Sequence, residues 1–257
     1  MIVDAHTHIA EAGRHGPFDL EATAEALVRE MDAAGVDVSV VIPLPGVASN
    51  EFVYRETARF PSRLAPLYCP DFRVPGETLA KLDRFAGAHP VHGLKIHPRV
   101  QGVTADDPVV RDVLAWASEH RVTTVVDLFP WGSSLDDARI HPLAYHRVAN
   151  EFSNLKLVLA HAGGYKVLET FMVAKANPNV FLDLSLTFAY FRNTSVATDL
   201  AFAAGRLPAG RVLYGSDFPD VHFEDYLRTV REHTAQLDPA RTHALFGDAA
   251  RSLFQLG

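Results

Sequence analysis

The chain reads Leu-Lys-Leu-Val-Leu-Ala-His-Ala-Gly-Gly over residues 155–164. Residues 155–160 are almost entirely apolar, which is typical of a strand that is covered on both faces within a parallel sheet. His161 ends this apolar run, and the two glycines after it allow the backbone to turn sharply. The same order, an apolar strand with polar residues at its carboxyl end, recurs along the chain.

Strands of this kind alternate with amphipathic segments over the whole sequence. We predict strands near residues 2–8, 37–42, 64–69, 93–97, 122–129, 155–160, 180–186 and 212–215. We predict helices near residues 20–35, with Asp19 as cap, then 49–60, 76–88, from 107 onward, 135–150, 164–176, 194–204, 223–234 and 239–254.

This alternation predicts an α/β fold, because sequential strand–helix units give parallel strands with right-handed crossovers. Eight units in 257 residues predict one (β/α)₈ TIM barrel with an extra C-terminal helix, as a single domain over residues 1–257. An open, doubly wound sheet is the alternative. It is disfavoured because no Gly-x-Gly-x-x-Gly follows the first strand.

Composition and charge narrow the class of protein. Hydrophobic residues make up 48% and charged residues 21%, which excludes a largely disordered chain. The net charge of −7 disfavours nucleic acid and anionic membranes as partners, so we expect a small-molecule substrate, with a homo-oligomer left open. A single cysteine and a start without signal-peptide features predict a cytoplasmic protein.

Polar residues at the predicted strand ends mark the candidate site, because barrel active sites lie at the carboxyl ends of the strands. His6 and His8 are two apart on one strand and therefore share a face, as a zinc-binding pair would. Asp217 follows the last strand, next to the first one around the barrel, and can bind a metal or accept a proton. The structural alternatives are hydrogen-bonded core histidines and a helix cap at Asp217.

Five further positive or ionisable side chains lie at the same rim: His161, Lys95, His97 and two loop arginines, Arg99 and Arg192. His161 is predicted to bind metal or to polarise a substrate carbonyl. A lysine inside a barrel is costly unless it meets an anion or forms a Schiff base, so Lys95 and His97 are candidates for substrate binding. The arginines could grip a substrate carboxylate, although solvated surface arginines are an equal alternative.

Four segments together resemble the amidohydrolase superfamily, in the branch called amidohydrolase family 2. They are Val3-Asp4-Ala5-His6-Thr7-His8, Gly93-Leu94-Lys95-Ile96-His97-Pro98, Leu159-Ala160-His161-Ala162-Gly163-Gly164 and Tyr214-Gly215-Ser216-Asp217-Phe218-Pro219. The closing segment 247–251 is similar to the family's terminal motif, with Asp248 where Asn is usual. The resemblance implies a distorted barrel that often holds one divalent metal, with His6, His8 and Asp217 as ligands and His161 assisting catalysis.

The fifth strand departs from the family, which commonly has a ligand histidine there. Asp127 is the only charged residue of this apolar strand, and an unpaired carboxylate inside a barrel would be costly. We predict that its cation partner is either the metal or Lys95, and binding to the metal is the preferred alternative. Alternatively, His97 completes the ligand shell, or no metal binds, as the resemblance allows for some lactone-opening relatives.

These residues predict an enzyme, a metal-dependent hydrolase with one divalent ion, zinc in preference to manganese. Its substrate would be small and anionic, with an amide, lactone or similar bond. Asp217 would move the proton, and His161 would stabilise the developing oxyanion. The alternatives are a non-oxidative decarboxylase of an aromatic or unsaturated acid, a metal-independent lactonase, and a barrel that binds a metabolite without catalysis.

Overall fold

In the computed structural model, residues 1–131 and 138–257 are described, and parallel strands alternate with helices along the chain. The strands are β1 (Val3–Thr7), β2 (Arg14–His15), β3 (Leu20–Glu21), β4 (Val38–Val41), β5 (Leu64–Pro66), β6 (Gly93–Ile96), β7 (Thr123–Val126), β8 (Leu157–Leu159), β9 (Val180–Asp183) and β10 (Val212–Leu213). β1 and β4 to β10 correspond to the eight predicted strands, and every pairing between them is parallel.

Backbone hydrogen bonds join these strands into a ring. One sheet has the order β1-β4-β5 and the other the order β10-β9-β8-β7-β6. At one seam the Ala5 N–H donates to Tyr214 O (3.0 Å). At the other, the Tyr68 N–H donates to Gly93 O (2.9 Å) and the Lys95 N–H donates to Tyr68 O (2.8 Å). The predicted (β/α)₈ barrel is confirmed.

Helices connect the strands on the outside of the ring. They are α1 (Ala24–Ala34), α2 (Asn50–Thr57), α3 (Pro75–Ala88), α4 (Pro98–Gln101), α5 (Pro108–His120), α6 (Pro142–Glu151), α7 (Val167–Ala176), α8 (Thr187–Tyr190), α9 (Ser195–Arg206), α10 (Phe223–His233), α11 (Pro239–His243) and α12 (Ala249–Phe254). A π-helical turn, Ala244–Asp248, joins α11 to α12, so the predicted extra C-terminal helix is present.

The first predicted helix begins later than expected, and Asp19 does not cap it. Thr23 is the cap, because its hydroxyl accepts the N–H of Ala26 (3.0 Å). The residues before it stay extended because β3 pairs with β2 as a short antiparallel hairpin. Ala22 extends this pairing, since its N–H donates to Gly13 O (2.9 Å) and its O accepts the Ala10 N–H (2.8 Å).

A second predicted helix also starts late. The prediction for 164–176 was wrong in its first turn, because residues 161–164 have φ between 45° and 77°, a left-handed conformation that cannot continue into a right-handed helix. The prediction for 135–150 begins within residues 132–137, which lie outside the described residues. α6 starts at Pro142, whose fixed φ favours the first helical turn.

The amino-terminal end of the barrel is closed by an apolar layer, which we call the barrel base. It consists of Val3, Val40, Leu67, Val125, Val158 and Leu213 packed against Ala249, Ala250, Leu253 and Phe254 of α12. The Thr123 hydroxyl at the start of β7 donates to Leu253 O (2.6 Å), which ties α12 to this end. Within the described ranges, no helix is both long and apolar enough to cross a membrane.

Candidate active site

The two histidines of β1 point at one carboxylate. His6 and His8 are both buried, and their Nε2 atoms lie 3.6 Å and 3.2 Å from Asp217 Oδ1. The Nδ1 atoms face acceptors instead, since His6 Nδ1 lies 3.0 Å from Asp183 Oδ2 and His8 Nδ1 lies 2.8 Å from Ile42 O. Each Nδ1 is therefore directed at its own acceptor, and each Nε2 is the nitrogen that faces Asp217 and could bind an ion.

The Nε2 atoms of His6 and His8 thus converge on Asp217 Oδ1. Positive charge beside this carboxylate is favourable, and the Lys95 Nζ already lies 3.2 Å from the His6 Nε2. Two imidazoles and a carboxylate are also a donor set that zinc prefers, so these side chains fit a divalent ion. Among the described residues, the ligand atoms that all lie within 4.8 Å of one another are those of His6, His161 and Asp217, and His8 adjoins this set through Asp217.

Asp217 is held by a strained loop after β10. Its φ is 75°, unusual for a residue other than glycine, and its N–H donates to His6 O (2.8 Å). Gly215, two residues earlier, allows this close approach, because a Cβ there would lie 2.9 Å from the His6 Cβ. Burial alone would raise the pKa of Asp217, but His161, His8 and His6 together hold it far below its ordinary value. Asp217 is therefore ionised at neutral pH.

His161 follows β8 in another left-handed segment, with φ of 58°. Its Nδ1 lies 3.1 Å from Ser185 O, and its Nε2 lies 3.1 Å from Asp127 Oδ1. Because both ring nitrogens face acceptors, this ring is protonated twice. Burial opposes the charge, yet the Asp127 hydrogen bond and the charge of Asp217 outweigh it and raise the pKa of His161 to about 9.

Asp127 lies between two imidazoles. Besides His161, it approaches His97, whose Nδ1 is 3.3 Å from Asp127 Oδ2 without the alignment of a hydrogen bond. Burial lowers the pKa of His97 to about 3, although Asp127 opposes this. The sequence offered a metal or Lys95 as partner for Asp127, and the structure adds these rings. Its role as a metal ligand stays a prediction.

The predicted anion-binding residues divide into a buried and an exposed group. Lys95 is fully buried, and its Nζ lies 3.2 Å from the His6 Nε2. Arg99 in α4 is half-buried, and its Nε is a buried donor without a hydrogen-bond partner among the described residues. Arg192 is exposed in the loop after α8.

Sequence reasoning missed three buried side chains that organise the site: Asp4, Asp183 and Ser185. Asp4 Oδ1 accepts the N–H groups of His6 and Ser216, both at 3.0 Å, and so ties β1 to the loop of Asp217. Asp183 ends β9, and Ser185 shares its face. The spacing of two that identified His6 and His8 would also have found this pair.

Aromatic rings form one wall beside His161. The Phe129 ring lies 5.3 Å from the His161 ring and 5.1 Å from Tyr190, with Trp131 and Phe191 next to them. Trp131 and Tyr190 are each about half exposed, at 48% and 54%. An apolar surface therefore adjoins the charged cluster at the carboxyl ends of the strands.

Residues 3–256 match the family model described as amidohydrolase, in the family 2 branch. The chain therefore belongs to the amidohydrolase family and is an enzyme of the amidohydrolase type. This confirms the resemblance that the four sequence segments indicated. None of the curated proteins compared with the sequence matches it significantly.

Solved structures share the fold at low sequence identity. A TIM-barrel protein from Bordetella bronchiseptica has a TM-score of 0.82 at 20% identity, covering 99% of this chain and 98% of the other. An amidohydrolase from Burkholderia multivorans with bound zinc has a TM-score of 0.78 at 17% identity, covering 100% of both chains. The 5-carboxyvanillate decarboxylase from Sphingomonas paucimobilis has a TM-score of 0.75 at 15% identity, covering 100% and 99%.

Proposed function

We propose that this enzyme is a metal-dependent hydrolase that acts on a small anionic substrate at the carboxyl ends of the barrel strands. The observation that carries the proposal is the convergence of the His6 and His8 Nε2 atoms on Asp217 Oδ1, at 3.6 Å and 3.2 Å. These three residues would hold the ion, and zinc is preferred because of the imidazole ligands and the zinc-bound relative.

A divalent ion bound there would lower the pKa of a water molecule from ~15.7 towards ~7. Asp217 is ionised and lies at the same point, so it can take the proton of the attacking water and deliver it to the leaving group. The protonated His161 ring lies next to the reacting centre, where its positive charge would stabilise an oxyanion as it forms. Asp127 holds that ring in place through the 3.1 Å contact with Nε2.

Substrate binding is assigned to Lys95, His97 and Arg99 around the centre. Lys95 and His97 are buried there, and the buried Nε of Arg99 has no protein partner among the described residues. A carboxylate on the substrate would satisfy that donor, since buried donors without acceptors are costly. Arg192, which is exposed, would contribute long-range attraction only.

A second candidate function is the non-oxidative decarboxylation of an aromatic acid. The aromatic wall of Phe129, Trp131, Tyr190 and Phe191 favours it, because a planar ring could stack there while its carboxylate meets Arg99. The fold relative that decarboxylates 5-carboxyvanillate lends the same support. In this reaction Asp217 would pass a proton that it has first taken from water to the ring carbon that loses carbon dioxide.

A substrate panel tests both candidates on one preparation. Zinc-loaded and chelator-treated protein would be assayed with amides and lactones that carry a carboxylate, and with hydroxybenzoic acids by carbon dioxide release. Hydrolysis that depends on added zinc supports the first candidate. Carbon dioxide release alone supports the second, and turnover of a lactone by protein without metal would contradict the metal-dependent mechanism.

A further inference from the structure

The carboxylate of Asp183 is the most heavily shared acceptor in the candidate active site. Its Oδ1 accepts the backbone N–H groups of His161 (3.1 Å) and Ser185 (2.9 Å) and also the Ser185 hydroxyl. Its Oδ2 accepts from His6 Nδ1 at 3.0 Å. Both oxygens are thus used, and they hold β1, the turn after β8 and the segment after β9 together.

The Ser185 hydroxyl lies between the two imidazoles. Its Oγ is 3.1 Å from His6 Nδ1 and 3.0 Å from His161 Nδ1. Because its own proton goes to Asp183, the oxygen can only accept from the two rings. Both Nδ1 atoms must then carry protons, and both Nε2 atoms are directed to the reacting centre.

The two rings share the Ser185 hydroxyl but differ in their other contacts: His6 Nδ1 also meets the Asp183 carboxylate, and His161 Nδ1 also meets Ser185 O. Their Nε2 atoms meet opposite kinds of group. His6 Nε2 faces the amine of Lys95 at 3.2 Å, a donor, and therefore offers a lone pair. His161 Nε2 faces the carboxylate of Asp127 at 3.1 Å, an acceptor, and therefore offers a proton. One ring is suited to bind an ion and the other to stabilise negative charge, although the same two residues hold both.

We propose that Asp183 and Ser185 are positioning residues that fix the ring orientation of both His6 and His161 and the Nδ1–H tautomer of His6. The loop around them is consistent with a demanding geometry, because Leu186, next to Ser185, has a φ of 60°. The catalytic use of the two rings in this inference rests on the proposed function. The positions of their protons do not depend on it.

The test uses Asp183→Asn and Ser185→Ala, with Thr187→Val as the matched control. An amide has one acceptor oxygen where Asp183 uses two, so Asp183→Asn places an NH₂ against one of its donors. Thr187 is equally buried in the same segment, but its hydroxyl donates only to the backbone carbonyls of His161 and Ser185 (2.7 and 3.0 Å). Thr187→Val therefore removes loop hydrogen bonds without touching a ring nitrogen.

Two measurements distinguish a role in positioning the rings from a role in fold stability alone. Side-chain ¹⁵N spectra of metal-free protein report the histidine tautomers, with His6 and His161 signals assigned from His→Gln variants. Calorimetric titration with Zn²⁺ reports the affinity. We expect Asp183→Asn to mix the His6 tautomers and to weaken Zn²⁺ binding by about 10–100-fold, the usual cost of losing a residue that orients a ligand. Ser185→Ala should alter both ring signals, and Thr187→Val should alter neither signal nor affinity.

Wild-type spectra and Zn²⁺ affinity in Asp183→Asn and Ser185→Ala would overturn the proposal, as would equal changes in Thr187→Val. If one variant does not fold, the other decides. If the wild-type protein binds no Zn²⁺, the proposed function fails, while the tautomer spectra of metal-free protein still decide this inference.

Discussion

The two ends of the barrel use the same strands in opposite ways. At the amino-terminal end, Val125 and Val158 pack against Leu253 and Phe254 in the barrel base. At the carboxyl-terminal end, the strands and the loops after them bring buried histidines, carboxylates and a lysine together. The first arrangement stabilises the fold by burying apolar area. The second buries charge, which is unfavourable for stability and therefore indicates a catalytic role.

The largest effect is expected from removing the ionised carboxylate at the site end. Asp217→Asn should lower kcat by at least ~10²–10⁴-fold, the usual contribution of a general acid or base, while the circular dichroism spectrum stays that of a folded barrel. Asp248→Asn is the matched control, because Asp248 is exposed in the helical segment that leads into the barrel base. Near-normal kcat in Asp217→Asn would remove Asp217 from the mechanism.

A substitution in the barrel base should lower stability and leave kcat unchanged. Phe254 is fully buried, so Phe254→Ala should lower the free energy of unfolding by about 3–5 kcal/mol, the cost of a large cavity. Activity per folded molecule should be unchanged, as measured at low temperature. Phe202→Ala, at a residue that is 45% exposed, should cost far less. A drop in kcat without loss of stability would show that the barrel base contributes to catalysis.

Buried charge at the site end should make the stability of metal-free protein depend on pH. The pKa of His161 is raised to about 9 in the folded protein, above its ordinary value of 6.5. The folded state therefore keeps a proton that the unfolded state has lost, and stability should fall by on the order of 2 kcal/mol as pH rises from 7 to 9. Denaturant melts of wild type and Asp127→Asn check this, because the variant lacks the hydrogen bond and should show a weaker slope. Equal slopes would contradict the pairing of Asp127 with His161.

The smallest effect compares two arginines at the same rim. Arg99→Ala should raise KM roughly tenfold for a carboxylate substrate, since a charge-assisted hydrogen bond is lost. Arg192→Ala should change KM by less than about threefold, as expected for an exposed charge. The same loss in both variants would assign carboxylate binding to the general positive charge of the rim.

Much of this arrangement could be predicted from the sequence, because strand ends meet at one place in a barrel. The spacing of His6 and His8 and the position of Asp217 placed them together, as the structure does. The partners of Asp127 could not be predicted, since the left-handed turn that brings His161 to it depends on tertiary contacts. The helix start at Ala24 was mispredicted because apolar periodicity continues through Leu20 into the hairpin.

The central claim is that His6, His8 and Asp217 hold one divalent ion. Elemental analysis of protein purified without chelators, followed by Zn²⁺ titration of chelator-treated protein, tests it most directly. We predict about one ion per chain in wild type, and its loss in the His6→Ala/His8→Ala double variant, which should still fold because the barrel base is intact. Wild-type protein that carries no metal, and that neither binds nor is activated by added Zn²⁺ or Mn²⁺, would contradict the account.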